Sequence, residues 1–205
     1  APMVDVLEGE VSIYGARPAL NSADFDRWRD RYASMSYEDQ VKYHRMIWKD
    51  YPSQHHYDIA AARRFFAGMA DIGNELRVLE IGGWTGDVAA AILPESLFIY
   101  DWLNVELCQG AVDHPATADP RYRPVVLDDW IWNYPPGWFE KFDVLFASHS
   151  FEHMTGENIE ALLPLLGNVQ HVYIDAPLAE EPVDWTGYHG AHVLEWGWRD
   201  LVAAM

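Results

Sequence analysis

LRVLEIGGWTGD, Leu76 to Asp87, is the stretch that decides the fold. A short apolar run with β-branched members meets two glycines, and a third glycine and an acid follow. The pattern predicts a strand over Leu76 to Ile81, a tight turn, and a helix over Val88 to Leu93. Such a turn offers free backbone N–H groups and lets a ligand approach the chain closely. Spacing excludes two glycine loops. The dinucleotide fingerprint needs glycines at i, i+2 and i+5, and with Gly86 last its first place falls on Ile81. The phosphate-cradling loop needs a Gly-Lys-Ser/Thr that does not follow.

Downstream, strand and helix patterns alternate. Leu97 to Tyr100 is apolar and ends in Asp101, and Val105 to Ala111 reads as helical. Arg123 to Leu127 reads as a strand ending in Asp128-Asp129, and Phe142 to Ala147 as a buried strand. A helix over Asn158 to Leu166 precedes a last strand, Val169 to Ile174. Polar residues gather at the strand C-terminal ends, as in an open, mainly parallel α/β sheet that binds ligands beyond those ends. Upstream, Ser22 starts one helix pattern (Phe25, Trp28, Tyr32) and Ser36, with Asp39 three residues on, a second (Val41, His44, Ile47, Trp48). A third runs from Gln54 to Met69. The expected division is an arm and helical cap over 1–75 and a cofactor-binding domain over 76–205.

Four stretches in order carry a family resemblance. VLEIGGWTG resembles motif I of the class I S-adenosylmethionine-dependent methyltransferases, E-x-G-x-G-x-G: Glu80, Gly82 and Gly86 match, and Trp84 stands where the middle glycine belongs. FIYD puts Asp101 in the place of the family's ribose-binding acid, and Asp128 and Asp129 in that of the adenine-side acid. FDVLFASHSFEHM, Phe142 to Met154, is similar to the fourth-strand motif that ends in Leu-Glu-His. The resemblance covers about Leu76 to Trp198. It implies a Rossmann-like sheet of order 3-2-1-4-5 with S-adenosylmethionine as cofactor and a small-molecule acceptor. Glu80, Gly82, Gly83 and Gly86 would lie at its methionine end, Asp101 at the ribose, and Asp128 or Asp129 with Trp130 at the adenine, with Trp84 and Trp102 as further cofactor contacts. Ser148 and His149 would face the sulfonium. GYHGAHVLEWGWRDLVAAM, Gly187 to Met205, resembles the segment after the fifth strand of small-molecule methyltransferases. His149 and His192 are the expected proton acceptors, with His189 in competition.

Two departures set the alternatives. Trp84 brings an indole to a place the family keeps bare, so it either projects outward or fills the crevice. The two strands the family adds after the last helix are not visible, which would leave Val169 to Ile174 as a bare edge open to self-association. A non-catalytic module of the same fold is therefore the competing expectation, and a nucleotide-sugar transferase a weaker one. Plain roles compete at each residue: Asp101 as a helix cap, Asp128 and Asp129 as turn residues, Trp130 as packing. His149 and His153 share i, i+4 spacing, but HSFEH is not HExxH, and no metal site is expected.

Composition narrows the partners. The net charge of −18, with 32 acids against 14 bases, repels phosphate backbones and anionic membranes. No apolar run is long enough to span a bilayer, no secretory pattern is visible, and Cys108 is the single cysteine. The expected location is cytoplasmic.

Overall fold

The computed structural model describes residues 30–50, 59–70, 75–167 and 169–175. Five parallel strands form one sheet: β1 (Leu76–Ile81), β2 (Ile99–Glu106), β3 (Tyr122–Val126), β4 (Val144–Ser148) and β5 (His171–Asp175). Their order is β3-β2-β1-β4-β5, the order expected. The helices are α1 (Tyr37–Asp50), α2 (Ile59–Ala67), α3 (Asp87–Ile92), α4 (Gln109–Asp113), α5 (Pro136–Phe139) and α6 (Gly156–Leu162).

Alternation along the strands makes two cores, because a parallel sheet buries both faces. Val78, Trp102, Tyr122, Val144 and Phe146 face α2 and α3, packing with Ala62, Phe66, Val88 and Ile92. Leu79, Ile81, Leu103, Val105, Leu145 and Ala147 face the other way, toward Ile131, Phe139, Ile159 and Leu162. Pro124 is tolerated because β3 is an outer strand among the described residues. The α2 side chain Phe66 belongs to the sheet's own core, at 5.2 Å from the Trp102 ring and 5.7 Å from Phe146.

Local capping chemistry sets two helix starts. Ser36 Oγ accepts from Asp39 N at 3.2 Å, as the Ser-x-x-Asp pattern predicts, so α1 begins at Tyr37. Thr155 Oγ1 accepts from Asn158 N at 3.3 Å and starts α6.

One expectation is corrected. β2 does not end at Asp101, and Val105 and Glu106 are strand rather than helix. Trp102, Leu103, Asn104 and Val105 alternate between the two faces while β1 and β3 pair with them on both sides, and Glu106 continues the pairing with β3. That pairing overrides the helical look of the sequence.

α1 lies across the C-terminal ends of the strands. Its Tyr37 hydroxyl donates to Leu127 O just after β3, and its ring meets Trp130 edge-on at 5.1 Å. Its middle places His44 at 6.1 Å from the His153 ring beyond β4. Its end sets Trp48 at 5.1 Å from Trp84 beyond β1 and stacked on His114 at 5.9 Å. Gly110 makes room for Trp48, since a Cβ there would collide with the indole. Among the described residues no helix is long and apolar enough to cross a membrane.

Candidate functional site

Each strand delivers polar groups to the same end of the sheet. After β1 the chain turns through Gly82 (φ 68°), Trp84 (φ 51°) and Gly86 (φ 82°). The turn is fastened from β2. Asn104 Oδ1 accepts from Gly83 N at 3.0 Å, and Asn104 Nδ2 donates to Trp84 O at 2.9 Å and to the Tyr122 hydroxyl at 2.8 Å. Glu106, on the last rung of β2, accepts from Trp84 N at 2.5 Å and from Leu107 N at 3.1 Å. Asn104 and Glu106 thus replace the hydrogen bonds the turn lacks. Neither residue stands out in the sequence, because Asp101 there looks like the end of the strand. Two polar residues alternating with Leu103 and Val105 were the available signal.

The glycines are required by close packing. A Cβ on Gly82 would press on Ser150, one on Gly83 on the Glu80 carboxyl, and one on Gly86 on the Tyr122 ring. Ser150 Oγ donates to Ile81 O at 2.5 Å, which ties the β1 and β4 ends together.

Two buried carboxyls lie beneath this turn. Glu80 is 1% exposed and accepts from Trp102 Nε1 at 2.7 Å. Burial pushes its pKa up to about 8; the Trp102 bond opposes the rise, and the charges of Glu106 and Asp87 add to it. Burial likewise raises Glu106 to about 7, against backbone N–H donation from Trp84, Leu107 and Cys108. Both groups hold protons more tightly than a solvated glutamate.

Several expected site residues are placed elsewhere. Asp101 is the third residue of β2, far from the strand's C-terminal end, and its carboxylate pairs with Arg123 at 2.5 and 2.7 Å. The acid at the end of β2 is Glu106. Trp102, expected among the cofactor contacts, is instead fully buried in the core between Phe66 and Phe146. Asp129 accepts from Trp130 N at 2.7 Å and Asn133 Nδ2 at 3.0 Å, and Asp128 from the Tyr134 hydroxyl at 2.5 Å. Both acids are exposed, and both hold the turn after β3. Trp130 stacks on Trp132 at 4.8 Å.

Trp84 does not project outward. Its ring packs under α1 on Trp48, and its indole N–H is buried without a hydrogen-bond acceptor among the described residues. A buried donor of this kind is an opening for a ligand's acceptor atom.

At the β4 end, Ser148 Oγ donates to Asp175 Oδ2 at 3.2 Å. His149 follows with φ 54° and donates its backbone N–H to Asp175 O at 2.7 Å. Its Nδ1 lies 3.3 Å from Glu152 Oε1, and its Nε2 4.0 Å from Asp175 Oδ2. Behind them the Tyr32 hydroxyl lies 2.9 Å from His44 Nε2. Desolvation, with His153 beside it, lowers the His44 pKa to about 3. His189 and His192 lie outside the described residues. Among the described residues no cluster of His, Cys, Asp or Glu is arranged to hold a metal ion.

No family model and no curated protein matches the chain. Solved structures do. A SAM-dependent methyltransferase from Archaeoglobus fulgidus superposes with a TM-score of 0.57 at 16% identity, covering 79% of this chain and 72% of that one. The plantazolicin methyltransferase BpumL, in complex with a pentazolic desmethylPZN analog and SAH, gives 0.59 at 14% identity, covering 89% and 76%. The methyltransferase domain of bacterial CtHen1 gives 0.52 at 15%, covering 71% and 81%. The chain has the fold of the class I methyltransferases, as its glycine turn and the order of its motifs led us to expect.

Proposed function

We propose that the chain is an S-adenosylmethionine-dependent methyltransferase acting on a hydroxyl, amine or carboxyl of a small molecule. The observation that carries this reading is the hydrogen-bonded unit of the Gly82–Gly86 turn with the Glu106 carboxyl at the end of β2. The chemistry of the donor set fits the cofactor. The turn would hold the methionine end and Glu106 the ribose, in place of Asp101. A carboxylate has about four lone-pair sites, and backbone N–H groups of Trp84, Leu107 and Cys108 occupy three, which leaves one to accept from a ribose hydroxyl. The turn at Asp128 to Trp130 would border the adenine. When bound, the cofactor supplies a methyl group on a sulfonium, whose sulfur leaves with the bonding pair. His149 would receive the proton the acceptor gives up. The net charge of −18 supports a small acceptor over a nucleic acid.

One observation favours the second reading, a non-catalytic module: the Trp84 indole is folded beneath α1 against Trp48. Calorimetry with S-adenosylmethionine and S-adenosylhomocysteine separates the two. We expect saturable binding that Glu106→Ala weakens by about tenfold or more, while Asp101→Asn leaves it within about twofold. Absence of binding by either compound at millimolar concentration would sink the methyltransferase reading.

A further inference from the structure

The backbone donors of the glycine turn are largely engaged within the protein. Val105 O accepts from Gly82 N at 2.9 Å, Asn104 Oδ1 from Gly83 N at 3.0 Å, and Glu106 Oε1 from Trp84 N at 2.5 Å. Gly83 O accepts from Gly86 N at 2.8 Å, and the Thr85 hydroxyl donates to Asp87 Oδ2 at 2.5 Å. One donor of the turn stands apart. The Trp84 indole N–H is buried and has no acceptor among the described residues. A buried donor without a partner is costly and rare in native proteins. Trp84 also holds a left-handed φ of 51°, which glycine would adopt without strain. Strained backbone of this kind gathers at active sites and ligand clamps.

We infer that Trp84 is a binding residue whose indole N–H donates to the carboxylate at the cofactor's methionine end. This role rests on the methyltransferase reading, which puts that end at the Gly82–Gly86 turn. An indole N–H only donates, so its ligand must bring an acceptor. The methionine end carries an ammonium, which only donates, and a carboxylate, which only accepts. The donor therefore selects the carboxylate. Hydrogen bonds to an ionised acceptor are the stronger kind. Glu80, Asp87 and Glu106, the acids around the turn, accept when ionised and cannot serve a carboxylate. Trp84 thus supplies from its side chain what the engaged backbone does not. Its ring packs on Trp48 of α1 at 5.1 Å, so the ligand's carboxylate reaches the donor as this cover yields. The indole at the family's bare position is then a recognition group and not an obstruction.

Calorimetry on the full chain tests this with two ligands, S-adenosylmethionine and decarboxylated S-adenosylmethionine. The second keeps the sulfonium and the ammonium and lacks only the carboxylate. The wild type should bind the first about tenfold or more tightly. Trp84→Phe keeps an aromatic ring against Trp48 and removes the N–H. It should bind S-adenosylmethionine about tenfold or more weakly, and the decarboxylated ligand within about twofold of the wild type. Trp84→Gly relieves the left-handed strain and removes the same donor, so it should lose the same preference if Trp84→Phe does not fold. Equal weakening of both ligands by the substitution assigns the indole to packing and overturns the inference. A wild type with no preference for the carboxylate overturns it too, whether or not the variants fold. A wild type that binds neither ligand strikes the methyltransferase reading, and this role of Trp84 with it.

Discussion

Glu80→Gln should make the protein's stability less sensitive to alkali. Folding raises the Glu80 pKa from 4.5 to about 8, chiefly by burial. The folded state therefore binds a proton that the unfolded state releases, and this contribution, present at low pH, is lost as pH rises toward 8. The informative window is pH 6.5 to 8. Below it His44, whose pKa falls from 6.5 to about 3 on folding, gives a slope of opposite sign. Above pH 6.5 that slope fades, and across the window it offsets only about 0.4 kcal/mol. Across the window Glu80 removes roughly 1.5 kcal/mol and Glu106, with a folded pKa of about 7, roughly 0.8 kcal/mol. Wild-type stability should thus fall by about 2 kcal/mol, and that of Glu80→Gln by less than about 1 kcal/mol. Glutamine keeps the oxygen that accepts the Trp102 indole N–H, so the variant should be the more stable protein at pH 8. Urea unfolding at the two pH values, with unchanged m-values, provides the measurement. A wild-type stability that is flat across the window, or a variant with the wild-type slope, refutes the reasoning.

Two other substitutions probe the frame around the site. Gly86→Ala combines a φ of 82° with a collision against Tyr122, and should cost about 2–4 kcal/mol in urea unfolding. Gly156→Ala, where a Cβ meets nothing within 4 Å, should be neutral or stabilise by about 0.5 kcal/mol. Arg121 donates to Leu93 O at 2.5 Å, Ser96 O at 2.9 Å and Ile99 O at 3.1 Å, closing the link from α3 to β2 while it pairs with Asp119. Arg121→Lys cannot reproduce that fork and should lower stability by about 1–3 kcal/mol, read by the same assay.

The sheet was legible in the sequence because its signals are local. Apolar-rich runs of five or six residues, three of them followed by glycine or acid and that of β4 by Ser148-His149, named β1, β3, β4 and β5 within two residues. The Ser36 cap named the start of α1. β2 was misread because an acid inside a strand looks like its end. Asp101 is accommodated there by an ion pair with Arg123 of the neighbouring strand. Trp102 was misjudged for a related reason: a residue next to a supposed strand end looks available, yet strand pairing carries it into the core.

Residue identity and spacing determined that a glycine turn follows the first strand, that no dinucleotide or phosphate fingerprint is present, and that polar groups collect at one end of the sheet. These follow from backbone sterics and side-chain period, which act over a few residues. Three things were decided only by the tertiary structure. Pairing on both sides of β2 made Glu106 its terminal acid, because strand length depends on neighbours distant in sequence. The passage of α1 over the strand ends turned the Trp84 indole inward onto Trp48. The bond from His149 N to Asp175 O joined the ends of two adjacent strands, and the His149 imidazole lies 3.3 Å from Glu152. Each is a contact between segments that the chain's local pattern does not bring together.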